Sequence, residues 1–156
     1  RLHINMRSDD IECICNQVID TNIEYFNIMF RSENIRSTNS LCNLMRSNKK
    51  IKYMSLDSVK SIQIVQELIY ALSTNTTITN FCISLDTSNI DADQLCLLQK
   101  FTDNALSENY TLLNICIRSS RYIFNDYVND SIVTKRNRLL SSERRFVTTK
   151  AIIQNF

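Results

Sequence analysis

Short apolar segments recur along the chain with one fixed spacing of hydrophobic residues. In each segment the first, fourth and sixth positions are apolar, and the positions between them are mostly polar, small or aromatic. β-branched and aromatic residues that alternate in this way predict β-strands. The four segments begin at Ile23, Ile51, Ile78 and Leu112, and a partial fifth is Leu2-His3-Ile4.

A stretch with helical spacing of apolar residues precedes each of the four segments. Each stretch closes on an apolar pair that is followed, after two residues, by an asparagine. The chain contains no Gly, and Asn is the other residue that readily takes the left-handed conformation ending a helix. We therefore expect these asparagines to close the helices in place of Gly. They are Asn22, Asn48, Asn75 and Asn109.

The helix and strand together form a unit that is repeated along the chain. The first positions of successive strands lie 28, 27 and 34 residues apart. A unit of this size cannot bury its own apolar face, whereas stacked copies share one continuous core. The pattern predicts an α/β solenoid with a curved parallel sheet on the inside and helices on the outside.

The units resemble leucine-rich repeats of the ribonuclease-inhibitor type. Their consensus is apolar-x-x-apolar-x-apolar, with a helix ending A-L-x-x-N-x-T-L, and "YALSTNTTITNFCI" and "NALSENYTLLNICI" match that junction closely. The consensus Gly before each helix is missing throughout, so we expect irregular turns from strand to helix. The Asn that follows the consensus strand is also not cleanly present in two units. The resemblance covers roughly residues 2–117 and implies a leucine-rich-repeat solenoid that binds a partner protein on its concave face.

The residues between the inward-pointing positions would form three rows on the concave face. Tyr and Asn together are typical of binding surfaces, because Tyr adds contact area at low entropic cost and Asn adds adaptable hydrogen bonds. Ordinary solvated positions on a short sheet are the alternative. The first row consists of Tyr25, Tyr53, Asn80 and Asn114. The second consists of Asn27, Ser55, Cys82 and Cys116, with His3 at the edge of the sheet. The third consists of Met29, Asp57, Ser84 and Arg118.

Composition excludes several functional classes. The absence of Gly rules out P-loops, G-x-G-x-x-G turns, G-x-S-x-G elbows and EF-hand loops. The six cysteines lie in or beside apolar stretches and lack zinc-site spacing, so we expect reduced thiols, an intracellular and cytoplasmic location, and no metal or cofactor. Asp91 and Asp93, like Asp9, Asp10 and Glu12, fall in predicted connections, and no nucleophile-base pair is evident. We therefore expect no enzymatic activity.

The charge pattern changes after Ile117. Residues 118–150 hold eight basic and three acidic side chains, whereas residues 1–117 carry a net charge of −3. Apolar pairs spaced seven residues apart predict a helix in this part. We therefore divide the chain into repeats at 1–117 and a last repeat helix with a C-terminal helical cap at 118–156. A basic docking face for an acidic partner or nucleic acid is the alternative, formed by Lys135, Arg136, Arg138, Arg144 and Arg145.

Three functions follow from these features. The first is a protein-interaction module that uses the concave face. The second comes from a further resemblance. A short run of these repeats followed by a terminal helix, here "VNDSIVTKRNRLL", is similar to the C-terminal half of tropomodulins, which implies capping of actin filament pointed ends. The third is nucleic-acid binding through the basic C-terminal helix, which poor aromatic interleaving disfavours. We expect no membrane span, and we expect the chain to be part of a longer protein.

Overall fold

The structure is a computed structural model, and it describes residues 2–4, 11–29, 35–86 and 90–119. Strands and helices alternate strictly through these ranges, as the repeat pattern predicts. The elements in chain order are β1 (Leu2–Ile4), α1 (Ile11–Val18), β2 (Tyr25–Met29), α2 (Ile35–Ser47), β3 (Tyr53–Val59), α3 (Ile62–Ser73), β4 (Asn80–Leu85), α4 (Ala92–Ala105) and β5 (Asn114–Ser119).

The described strands form one parallel sheet in the order β1-β2-β3-β4-β5. The fourth position of each predicted segment lies in register with its equivalents: Phe26 pairs with Met54, Met54 with Phe81, and Phe81 with Ile115. Successive helices pack against one another on one side of the sheet. The predicted α/β leucine-rich-repeat solenoid is confirmed in this part of the chain.

The core lies between the sheet and the helices. Strand residues that point toward the helices are buried, and residues that alternate with them are half-buried or exposed. The central helix α3 contributes a buried stripe that includes Val65, Leu68 and Leu72. Helix and strand each lack enough apolar surface for a core of their own, so the stability of one unit depends on its neighbours.

The predicted role of the recurring asparagines is wrong, and the structure gives them a different one. None of them has a positive φ; among the described residues that conformation occurs only at Ser58. The caps of α3 and α4 are instead Thr74 and Leu106, both with φ −95°. The asparagines act through their side chains, whereas the prediction concerned only their backbone conformation.

Three of the four asparagines are buried and bridge neighbouring units. The Asn48 side-chain oxygen accepts hydrogen bonds from the amides of Lys50 (2.8 Å) and Ile51 (2.9 Å), which fixes the turn into β3. Its Nδ2 donates to the carbonyls of Val18 and Ile19, each at 3.0 Å, at the end of the preceding helix. Asn75 and Asn109 repeat both halves of this arrangement in the next two units. Asn22, by contrast, is exposed.

The expectation of irregular strand-to-helix turns is met at the end of β3. Ser58 has φ 65°, a region that Gly enters without steric cost. The register with β4 shifts between Leu56 and Val59, so two residues of β3 lie opposite one residue of β4, which is the count of a β-bulge.

Three of the acidic residues that the sequence places in connections lie at helix N-termini instead, and Asp9 and Asp10 lie outside the described residues. Asp91 is the N-cap of α4: its carboxylate accepts a hydrogen bond from the Gln94 amide at 2.7 Å, and the Gln94 side chain accepts one from the Asp91 amide. Asp93 lies in the first turn of the same helix, and Glu12 in the first turn of α1. These carboxylates therefore stabilise helix N-termini.

Within the described ranges, no helix combines the length and the apolar character needed to cross a membrane. The predicted C-terminal cap and the basic residues Lys135, Arg136, Arg138, Arg144 and Arg145 lie outside the described residues. The predicted division at residue 118 remains a prediction.

Candidate functional site

The site is built on the open face of the sheet, on the side away from the helices, which we call the concave face. Its residues come from alternate positions of β2 to β5, because successive side chains of a strand point to opposite faces. The first two rows are in register throughout, and the third is in register except between β3 and β4. The first row pairs Tyr25 with Tyr53, Tyr53 with Asn80, and Asn80 with Asn114.

The two tyrosines of this row stack on each other. The ring centroids of Tyr25 and Tyr53 lie 4.2 Å apart, and the rings are within 3° of parallel. Tyr53 is 38% exposed, so one face of the stack is open to solvent. A hydrogen bond with Tyr25 raises the pKa of the Tyr53 hydroxyl, and the proximity of the Tyr25 hydroxyl adds to the effect. The pair thus forms a rigid aromatic platform with polar tips.

Asparagine side chains continue the row beyond the tyrosines. Asn80 and Asn114 are half-buried on β4 and β5. The side-chain amide of Asn80 donates to Thr79 Oγ1 at 2.9 Å, which orients its oxygen away from that contact. This half of the row offers amide groups that can form hydrogen bonds with a partner's main chain.

The first and second rows enclose an open groove of about 220 Å³ on this face. Tyr25, Tyr53, Asn80 and Asn114 line one side, and Asn27, Ser55 and Cys82 line the other. The sequence predicts all seven of these residues as concave-face candidates, and the structure brings them together.

An ion pair that the repeat pattern did not predict as part of the site flanks the tyrosines. Lys52 Nζ lies 2.6 Å from Glu24 Oε1, and both side chains are about half exposed. The hydrogen bond and the opposite charge lower the pKa of Glu24 and raise that of Lys52. Opposite charges at the second position of neighbouring units are the signal that could have identified this pair.

The second row ends in two cysteines that face each other across β4 and β5. Cys82 pairs in register with Cys116, and both are thiols. Cys82 is half-buried, whereas Cys116 is only 3% exposed. Arg118 Nε donates a hydrogen bond to Cys116 Sγ at 3.2 Å. The hydrogen bond with Cys116 and burial raise the pKa of the Cys82 thiol.

The third row is interrupted by the bulge. Met29 pairs with Asp57, and Ser84 pairs with Arg118. No register pair joins Asp57 to Ser84, because the bulge at the end of β3 falls between them. At the other edge of the sheet, the backbone of His3 pairs in register with Asn27, which extends the second row to β1.

A second groove, which the sequence did not predict, lies on the helical side of the sheet. It has a volume of about 360 Å³ and runs between α2, α3 and α4. Tyr70, which is 63% exposed, and Phe101 are its aromatic residues, and Cys42 and Arg46 line it from α2. In the described part of the chain, no group of three or more His, Cys, Asp or Glu side chains is placed to hold a metal ion.

The repeat order and the open strand face define a leucine-rich-repeat fold. No protein-family model matches the sequence, and no curated protein is significantly similar to it. Solved structures of other proteins have a similar fold. The tropomodulin C-terminal domain of Caenorhabditis elegans superposes with a TM-score of 0.70 at 16% identity, covering 93% of this chain and 87% of that one. Leiomodin-1 Actin-Binding Site 2 gives a TM-score of 0.69 at 13% identity, covering 94% of this chain and 83% of that one.

Proposed function

We propose that the protein is a non-enzymatic interaction module that binds a partner protein on the concave face. The observation that carries the proposal is the groove in which the stacked Tyr25–Tyr53 platform is continuous with Asn80 and Asn114. Aromatic side chains that are already ordered lose little entropy on binding, and they are enriched among the residues that dominate interface energies. We also propose that the module acts in the cytoplasm.

The polar groups around the platform support a protein as the partner. The amides of Asn80 and Asn114 can pair with main-chain groups, and the Lys52–Glu24 pair offers one charge of each sign beside the tyrosines. A rim of this kind suits a mixed polar and apolar surface, which is the composition of most protein interfaces.

Comparison of two exposed tyrosines tests the proposal. Tyr53 lies on the concave face, and Tyr70 is more exposed but lies on the helical side. Proteins captured from cell extract by the wild-type chain are compared with those captured by Tyr53→Ala and by Tyr70→Ala. We expect Tyr53→Ala to weaken the main interaction about 30-fold, as for an interface hot spot, and Tyr70→Ala to retain it. Equal capture by wild type and Tyr53→Ala, or loss only with Tyr70→Ala, would contradict the proposal.

Actin is the second candidate partner. The observation that favours it is the fold similarity to Leiomodin-1 Actin-Binding Site 2 and to the tropomodulin C-terminal domain. In this second proposal the chain is a cytoskeletal protein, and its solenoid binds actin at the pointed ends of filaments.

Pointed-end depolymerisation of actin filaments whose barbed ends are blocked tests this candidate directly. If the chain binds at pointed ends, it slows the loss of actin subunits in a dose-dependent way. Loss of this effect in Tyr53→Ala or in Tyr70→Ala then shows which side of the sheet contacts actin. Unchanged depolymerisation together with no co-sedimentation with filaments would exclude actin, while capture of a different protein by the concave face would leave the first proposal standing.

A further inference from the structure

Cys82 and Cys116, the two cysteines at the end of the second row, are positioned to form a disulfide, which binding of a partner does not require. Directly opposite residues on neighbouring strands lie ~4.8 Å apart, within the range of about 4.4–6.8 Å between the Cα atoms of disulfide-bonded cysteines. Cys82 and Cys116 are such a pair, and both side chains belong to the same face. A hydrogen bond between the two thiols brings their sulfur atoms together.

The polar environment of the pair favours reaction at Cys116. Arg118 Nε–H points at Cys116 Sγ, and a cation that donates to sulfur stabilises the thiolate, which is the reactive form of cysteine. The Cys82 thiol holds its proton and shares a hydrogen bond with Cys116. A cysteine that accepts a hydrogen bond from a cation and has a protonated thiol beside it is the arrangement of an attacking cysteine and its resolving partner.

The other cysteines lack these features. Cys15 and Cys42 are buried, and burial raises the pKa of the Cys15 thiol to about 12 and that of the Cys42 thiol to about 11. Cys13 and Cys96 are exposed on helices. Cys82 and Cys116 are the pair that the register places opposite each other in the described strands.

We infer that Cys82 and Cys116 form a reversible disulfide across β4 and β5 when the protein meets hydrogen peroxide. The inference rests on their register, on the Arg118 contact and on the opening of the groove at Cys82.

The reaction has two steps. The Cys116 thiolate attacks one oxygen of hydrogen peroxide, the O–O bond breaks, and the leaving hydroxide takes up a proton to become water. The Cys116 sulfenic acid is then attacked by the sulfur of Cys82: an S–S bond forms, the S–O bond breaks, and the thiol proton of Cys82 leaves with the hydroxide as a second water. Two thiols are oxidised to one disulfide and one peroxide is reduced to two waters.

The disulfide changes the surface on which the proposed partner binds. Cys82 lines the groove beside Asn80, so cross-linking fixes β4 to β5 and removes a thiol from the groove wall. This consequence rests on the proposed function, whereas formation of the disulfide does not.

Peptide mapping tests the disulfide on the full chain. In a Cys13→Ser/Cys96→Ser background, trypsin releases residues 61–100 with Cys82 as their single cysteine and residues 101–118 with Cys116 as theirs. After treatment with hydrogen peroxide we expect these two peptides to be joined, and to separate on reduction with dithiothreitol. Cys82→Ser should prevent the cross-link and leave a sulfenic acid at Cys116 that dimedone captures.

Variants of the basic residues test the role of Arg118. Arg118→Ala, in which the second peptide ends at Arg121, should slow the cross-link by a few-fold, up to about tenfold, because Cys116 loses the cation that stabilises a negatively charged sulfur. Lys50→Ala, which removes an exposed cation before β3 and keeps the tryptic sites at Lys60, Lys100 and Arg118, should leave the rate unchanged. Failure of the two peptides to join under peroxide, or joining that dithiothreitol does not reverse, would overturn the inference. Neither result depends on a partner, so the proposed function is judged separately by its own assay.

Discussion

The side-chain amide of Asn109 donates a hydrogen bond to the main-chain carbonyl of Asn75, 3.1 Å away, so the asparagine of one unit is tied to the asparagine of the unit before it. Asn109 also donates to the Leu72 carbonyl at 2.9 Å and accepts from the amides of Thr111 and Leu112. Each buried asparagine therefore satisfies main-chain groups of two units, including the carbonyls that a helix leaves unpaired at its end.

Replacement of the central asparagine should destabilise the fold. In Asn75→Ala the Thr77 and Ile78 amides and the Met45 carbonyl lose their partner. Buried groups left unsatisfied cost about 1–3 kcal/mol each, so for three groups we expect a loss of about 3 kcal/mol or more in urea unfolding. Asn22→Ala is the matched control, because Asn22 holds the equivalent place but is exposed; we expect a change within about 0.5 kcal/mol. Similar losses for both variants would contradict the bridging role.

Glycine should have opposite effects at two serines of β3. Ser58 has φ 65°, so Ser58→Gly relieves a steric penalty and should stabilise the fold by up to about 1 kcal/mol. Ser55 lies in the same strand without a positive φ, and Ser55→Gly should destabilise it by roughly 0.5–1 kcal/mol. Thermal unfolding of both variants measures the difference, and destabilisation by Ser58→Gly would show that its side chain matters more than its backbone.

The stacked tyrosines should be energetically coupled. A double-mutant cycle with Tyr25→Ala and Tyr53→Ala is expected to give a coupling free energy of about 0.5–1.5 kcal/mol, the usual value for an aromatic pair. Urea unfolding of the wild type, both single variants and the double variant supplies it. A cycle with Tyr53 and Tyr70, which lie on opposite sides of the sheet, should give a value near zero.

Buried thiols should make the fold sensitive to alkali. Burial raises the pKa of Cys15 from 9.0 to about 12, so between these values the folded thiol keeps a proton that the unfolded thiol has lost. The folded state then binds more protons, and stability falls as the pH rises, with a slope on the order of 1 kcal/mol per pH unit from this group. Urea unfolding from pH 8 upward should show the decline, and Cys15→Ala should show a shallower one. An unchanged slope in that variant would contradict the assignment.

The strand register could be predicted from the sequence because burial imposes it. Phe26, Met54, Phe81 and Ile115 occupy the same position in segments of identical spacing, and a shift by one residue would expose all of them. The rows of the concave face follow from the same register, so the sequence alone predicts that Tyr25 and Tyr53 lie side by side.

Other features depend on interactions that a spacing pattern does not contain. The role of Asn48 involves carbonyls about thirty residues earlier in the chain, which are brought close only by the stacking of units. The break between Asp57 and Ser84 arises from a single backbone conformation at Ser58. The near-parallel stacking of the tyrosine rings depends on side-chain rotamers, which the order of residues does not specify.

The strands lie in the sheet in the same order as in the chain, so every unit has as its neighbours the units encoded immediately before and after it. Duplication or loss of one whole unit in the gene would therefore produce a longer or shorter sheet without moving any strand past another. A deletion from the segment after Glu24 to the equivalent point after Lys52 would place Tyr53 where Tyr25 now stands, beside β1. The length of the binding face can thus change by whole repeats during evolution, while the packing within each repeat is preserved.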